Sequence, residues 1–150
     1  MNKINIAKSL AIGFIAGGAG TAAMTAALMV ETRLIGPDQT REMERVPARA
    51  VEKTTGINFN DIESASKGVH WTYGSLWGEV RVLLDQLGVR GLKASLIHFA
   101  IISFGASTIV PSLGLEPWPT KMPRPKLLAQ TINHLLYALV AGAVYDALND

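Results

Sequence analysis

The chain has 150 residues, 17% of them charged and 49% hydrophobic, and its mean hydropathy is +0.25. A soluble domain of this size runs near a quarter charged, so an ordinary soluble enzyme is excluded. A net charge of +2, with acids and bases intermixed, leaves no basic footprint for a nucleic acid. Without cysteine there are no disulfides and no thiolate metal sites.

Charge is absent from residues 9–30, 94–115 and 127–145. Each run reaches the roughly 20 residues that cross a ~30 Å hydrocarbon core, and three of them predict a membrane protein. Lys3, Lys8 and Thr25-Ala26-Ala27 imitate a secretory signal with a cleavage site. The stretch is nevertheless long and Ala/Gly-rich, without a Leu-rich centre. A retained first helix over about residues 6–33 is expected, stopped by Gly36-Pro37.

Residues 31–67 hold half of the charged side chains and form a water-facing segment. Pro47 and Gly56 frame one short helix within it. A second helix, about 61–87, starts with Asn60 as cap and Glu63 completing an N-x-x-E box, and ends at Gly88. Glu79, Arg81 and Asp85 interrupt its apolar part, so hydropathy alone misses it. It is read as a span because Trp71, Tyr73 and Trp77 suit an interface or a bundle lining. Arg90, Gly91 and Lys93 turn the chain into a third helix, about 92–111, which reaches Pro111. Four prolines between residues 117 and 125 bar a helix there and predict a re-entrant or interfacial loop with Trp118 at headgroup level. A fourth helix covers about 126–148. The expected fold is all-α: an integral membrane antiparallel four-helix bundle, one domain over residues 1–150.

Side-chain faces follow from about 100° of rotation per residue. On the first helix Gly13, Gly17, Gly20, Met24, Ala27 and Glu31 share a stripe, the small-residue kind that admits a neighbouring backbone. On the second, His70, Gly74, Trp77, Arg81 and Asp85 share a face; Arg81 and Asp85 form an i,i+4 pair, and Glu79 points the opposite way. A mid-membrane carboxylate such as Glu79 is a functional candidate by default. The third helix aligns Ser95, His98, Ile102, Gly105 and Ser112; the fourth aligns Gln130, His134, Ala141 and Tyr145. His70-x-x-Tyr73-x-x-x-x-Gly78 recurs as His134-x-x-Tyr137-x-x-x-x-Gly142, a faint sign of two related hairpins.

Chain direction puts Glu31, His70 and His134 at comparable depth, with Tyr73, Gln130 and Tyr137 nearby and His98 towards the other side. Two histidines and a carboxylate are a ligand set for Zn²⁺ or non-haem iron, and two facing histidines can hold a haem. The residues come from three helices and have no H-x-x-x-H or E-x-x-H spacing. A hydrogen-bonded network or proton path is the expected role, and no cofactor is expected. Nucleophile elbows, P-loops and Rossmann fingerprints are absent.

Several features resemble the YagU-like bacterial inner-membrane proteins. They are the glutamate ending the first helix before a Pro/Arg loop, Gly68-Val69-His70, His98, and Pro111…Gly114-Leu115…Pro117-Trp118-Pro119 leading to Asn133-His134-Leu135. The similarity is best from about residue 68 to 137. That family carries a glutamate four residues before the last histidine, where this chain has Gln130. The resemblance implies a multi-pass protein of the bacterial inner membrane and adds no activity.

Two roles are expected: a small transport or proton/cation-handling protein using the Glu/His cluster, or a structural subunit packing through Gly13, Gly17 and Gly20 into a homo-oligomer or larger membrane complex. A metal or haem carrier stands third. Nine cations (Arg33, Arg41, Arg45, Arg49, Lys53, Lys67, Lys121, Arg124, Lys126) flank one side, against Lys3, Lys8, Arg90 and Lys93 on the other. By this full count the positive-inside rule predicts cytoplasmic long loops and outside termini, whereas the flanks of the first helix alone, Lys3 and Lys8 against Arg33, point to a cytoplasmic N-terminus.

Overall fold

The computed structural model describes the backbone of residues 3–35 and 37–149, and the side chains of residues 6–33 and 44–149. Six helices carry the regular structure: α1 (Lys3–Ile35), α2 (Pro37–Thr55), α3 (Ile62–Trp77), α4 (Glu79–Gln86), α5 (Gly91–Ser112) and α6 (Arg124–Asn149). One 3-10 turn covers Pro119–Lys121, and no strand occurs among the described residues. Three helices are long and apolar enough to cross a membrane: α1 over Ile6–Arg33, α5, and α6. They contain the three charge-free runs, apart from the last few residues of the second run, which follow α5.

Helix α1 is the hub. It packs against α6 on one side and against α3 and α4 on another, and α5 packs on α6. The pairings are antiparallel. Near the end of α1, Glu31 meets Asn133 of early α6; near its start, Ile12 and Ala16 pack with Val82 of α4 and Tyr145 of late α6. One end of the molecule thus gathers the end of α1, the start of α3, the end of α5 and the start of α6. The other gathers α4, the start of α5 and the end of α6.

Helix ends follow local chemistry. Gly88 (φ 75°) and Gly114 (φ 67°) adopt the left-handed conformation that closes α4 and α5. At the first, the Val89 N–H reaches the Leu84 carbonyl at 2.8 Å; at the second, the Leu115 N–H reaches Val110 at 3.3 Å. The Leu113 carbonyl left at the end of α5 accepts from Lys53 Nζ at 2.6 Å, which ties α2 to α5. The start of α3 is capped by Asp61, whose Oδ1 accepts from the N–H groups of Glu63 and Ser64, each at 3.1 Å. The Ser64 hydroxyl and N–H hold the Asp61 carboxyl below the usual carboxylate range.

Four expectations are corrected. The cap of α3 is Asp61, one residue after Asn60, and Glu63 instead pairs with Arg45 at 2.9 Å. Helix α2 does not start at Pro47; it starts at Pro37, where a missing N–H costs nothing. Pro47 lies inside it, and the next N–H, that of Ala48, donates to Ser66 Oγ of α3 at 3.1 Å. The stop signal's Gly36 lies outside the described residues. The proline-rich stretch is not wholly free of helix: it holds the 3-10 turn, and α6 begins at Arg124 with Pro125 in its first turn. Finally, the expected helix over 61–87 is two helices, α3 and α4, separated at Gly78.

The reason for that break is the closeness of α1. A Cβ on Gly17 would lie 2.7 Å from the Gly74 carbonyl oxygen and 2.8 Å from the Gly78 nitrogen, with the Ser75 carbonyl nearer still. A Cβ on Gly78 would collide with the Gly13 carbonyl. The backbones therefore touch directly, as small residues permit. At this crossing the Gly78 N–H bonds to Ser75, three residues back, at 3.1 Å, and the Arg81 N–H bonds to Gly78, again three back, at 3.0 Å. Gly78 itself keeps helical angles (φ −59°, ψ −23°), so the hydrogen-bond ladder slips without the chain turning away.

Candidate functional site

The ladder slip leaves the Gly74 carbonyl without its usual i+4 partner, and the Tyr137 hydroxyl of α6 donates to it at 2.5 Å. A side chain from a neighbouring helix restoring a freed backbone group is how broken helices are tolerated away from water. The Tyr137 ring seats on Gly20, where a Cβ would come within 2.8 Å of it. All three glycines of the α1 stripe are thus filled from within the chain: Gly13 and Gly17 by α3 and α4, Gly20 by α6.

Around the expected Glu/His cluster the pairing differs. Glu31 Oε1 accepts from Asn133 Nδ2 at 3.2 Å, and its Oε2 is buried without a partner. His70 and His134 are half-buried, and among the described residues no hydrogen bond links them to each other or to Glu31, Gln130, Tyr73 or Tyr137. Tyr73 is exposed and meets Trp77 edge-on, ring centres 5.8 Å apart. Gln130 is half-buried. No three His, Cys, Asp or Glu side chains among the described residues, Glu31, His70 and His134 included, are placed to hold a metal ion. The residue of α6 that meets Glu31 is Asn133, about 100° round the helix from His134.

The opposite end carries the more deeply buried polar groups, and there the expected Arg81–Asp85 pair is corrected. Arg81, on α4, is 1% exposed and donates through Nη2 to Asp146 Oδ1 of α6 at 2.5 Å. Its guanidinium carbon lies 5.4 Å over the Tyr145 ring, in reach of a cation–π contact. Asp85 instead pairs with Arg90 Nε at 2.6 Å and accepts from Asn149 Nδ2 at 3.3 Å. Arg81 points inward to α6 while Asp85 sits a turn later, where α4 ends and the next turn brings Arg90 back. Glu79, as expected on the other face, opens α4 beside Gly13 of α1; a carboxylate in a first turn complements the helix dipole. Its Oε2 is buried without a partner.

His98 of α5, set apart in the sequence reading, is 0% exposed. Its ring meets Tyr137 edge-on with centres 5.6 Å apart, and the Trp77 carbonyl faces it without a hydrogen bond of normal geometry. Ser95, one turn earlier, is also buried and lies against Gly142 of α6. The interior is therefore lined with polar groups from end to end: Glu31 and Asn133, then Tyr137 with the Gly74 carbonyl, then His98 and Ser95, then Arg81 with Asp146. The sequence carried a signal for the second half, since an arginine within a helix expected to span is itself a functional flag. The local i,i+4 partner masked it.

Outside this interior, an open apolar groove of about 500 Å³ runs between α2 and α3, lined by Val51, Ala65, Val69, Thr72, Tyr73 and Leu76. No family model, curated protein or solved structure matches the chain.

Proposed function

We propose that the chain is a polytopic membrane protein in which α1, α3 with α4, α5 and α6 form four spans around a polar interior that handles a small ion. The observation that carries this is the inverted distribution of polarity. Arg81, Ser95, His98, Asn133 and Tyr137 are buried, whereas Leu10, Phe14, Leu96, Phe104 and Leu128 on the helices around them are exposed. Water would favour the reverse; hydrocarbon favours this, because intramembrane polar groups turn towards the bundle interior. The resemblance to YagU-like proteins supports the bacterial inner membrane as its location, and the count of flanking cations supports cytoplasmic long loops. Assembly through Gly13, Gly17 and Gly20 gains no support, because those glycines are already covered within the chain.

The chain has no cysteine, so single cysteines report cleanly. Cysteines at Leu76 and Phe104 are expected to resist a membrane-impermeant maleimide in intact cells and vesicles and to react after detergent treatment. Ready labelling at Leu76 in intact membranes would remove α3 from the bilayer. A C-terminal reporter active only in the cytoplasm should stay silent, and activity there would reverse the orientation. Ion flux into vesicles reconstituted with the protein tests the activity.

A further inference from the structure

Two side chains at the contact of α1 with α6 share one deficit. Glu31 Oε1 accepts from Asn133 Nδ2 at 3.2 Å, yet Glu31 Oε2 and Asn133 Oδ1 are both buried with no hydrogen-bond partner. An ionised carboxylate and an amide oxygen are both acceptors, so neither can serve the other. Turning the amide over brings no relief, because its oxygen would then face the carboxylate and the one existing bond would be lost. Asn133 is 2% exposed. Glu31 is half-buried and lies close to the end of the apolar stretch Ile6–Arg33.

No basic side chain offsets this carboxylate. Among the described residues the acids paired with a basic group are Glu63, Asp85, Glu116 and Asp146. Of the charged and titratable groups at this end, Arg33 and Lys67 are exposed, and Lys126 is taken by Glu116 at 2.9 Å. His134 follows Asn133 on α6, His70 lies on α3, and the charge of Glu44 on α2 reaches His70; none of these bonds to Glu31. A carboxylate taken out of water without a charge partner is costly enough that such a group holds a proton instead. The proton also repairs the geometry. A carboxylic acid has one O–H to donate and still accepts on its other oxygen, so a single hydrogen serves both orphaned oxygens and needs no further space between the helices.

We propose that the ion bound at this end of the interior is a proton, carried on Glu31 Oε2 and donated to Asn133 Oδ1 in a neutral carboxyl–amide pair. Loading takes one proton from water at the end of α1 and turns the carboxylate neutral; release returns it and leaves the single bond from Asn133 Nδ2. This deepens the ion-handling reading by naming the ion and the group that holds it, and it rests on that reading only for what the proton is for.

The test is infrared spectroscopy of the full-length protein in nanodiscs at neutral pH. A protonated carboxyl has a C=O stretch set apart from those of carboxylates and amides, and the difference between wild type and Glu31→Gln should contain one such band. Glu31→Gln keeps both hydrogen bonds, since its amide can accept from Nδ2 and donate to Oδ1, so this variant is expected to fold. In Asn133→Leu the carboxyl loses its acceptor and the band should move to higher frequency. If Asn133→Leu does not fold, a pH titration of the wild type decides, the band giving way to carboxylate absorption as pH rises. No band in the difference, a band that Asn133→Leu leaves in place, or one that persists at every pH would overturn the proposal. So would an unfolding midpoint raised by sodium or potassium over choline at equal ionic strength in wild type and not in Glu31→Gln, because a metal cation would then hold the two oxygens. Proton uptake by vesicles with an entrapped pH dye separates the two ideas. The band without Glu31-dependent flux sinks the ion-handling reading and leaves the site; ion flux without the band sinks the site and leaves the reading.

Discussion

Replacing Tyr137 by phenylalanine isolates one hydrogen bond. The ring is 3% exposed and seated on Gly20, and phenylalanine keeps all of that packing. Only the hydroxyl that donates to the Gly74 carbonyl at 2.5 Å disappears. Leaving a buried acceptor unpaired costs about 1–3 kcal/mol. Hydrogen bonds between membrane helices average only ~0.6 kcal/mol, with a maximum near 1.7, because the unfolded helices find other partners in the bilayer. Gly74 has a poor choice of substitutes. The Gly78 N–H could return to it only if the slip were undone, and the contact of Gly78 with Gly13 and Gly17 opposes that. The loss should therefore lie at the upper end, about 1.5 kcal/mol, or roughly a tenfold shift in the unfolding equilibrium. Reversible unfolding in mixed detergent micelles, followed by the fluorescence of nearby Trp77, measures it. A change below about 0.3 kcal/mol, well under the ordinary worth of a hydrogen bond, would mean that the Gly74 carbonyl does not depend on Tyr137, and the account of the broken helix would fall with it.

Neighbouring glycines of α1 should respond in opposite directions. Gly17→Ala forces a Cβ into the α3 backbone and should cost about 2–3 kcal/mol by overpacking, while at Gly18 the nearest atom is Ser75 Oγ at an ordinary 3.4 Å. Gly18→Ala should gain up to about 1 kcal/mol of helix propensity, and equal effects at the two sites would contradict the crossing. Asp146→Asn should destabilise by about 2 kcal/mol, less than the 3–5 of a wholly buried pair because Asp146 reaches water, and Arg81→Met with Asp146→Leu should recover most of it. Failure of the double variant to recover would show that Arg81 serves more than the pair. At the cap of α3, the folded carboxyl of Asp61 titrates below its unfolded value, so its contribution is complete above about pH 4 and fades as pH falls through the folded value. Hydrogen exchange at Glu63 and Ser64 should accelerate over that acid range and be fast at all pH in Asp61→Ala; pH-independent protection would refute the cap.

Where the helices lie was legible because charge, glycine and proline act locally. The three charge-free runs became α1, α5 and α6, give or take a few residues, and Gly88 closed α4 as its sequence position implied. Which polar groups meet was far less legible, because partners on different helices depend on rotation, and one residue changes a face by about 100°. Glu31 meets α6 at the turn that holds His134, but the side chain that bonds it is Asn133, one residue earlier. Likewise Arg81 had an acceptable partner four residues away, and only the packing of α4 on α6 shows that its acid is Asp146, 65 residues on. The break at Gly78 was hidden for a similar reason: its cause is the backbone of α1, and nothing within 61–87 announces it.

The hub position of α1 also governs how the chain is assembled during synthesis. Its inner face is covered in two instalments, first by α3 and α4, later by α6. Gly74 leaves the ribosome 63 residues before Tyr137, which at about 5–20 residues per second is an interval of roughly 3–13 s. Over that interval the Gly74 carbonyl has no Tyr137 to serve it; until α6 follows, Glu31 likewise lacks Asn133 and Arg81 lacks Asp146. If the proposed spans hold, a nascent chain halted before α6 would present an arginine and a carboxylate on half-built surfaces within the bilayer, the kind of exposed polarity by which membrane quality control can tell an unfinished protein from a finished one.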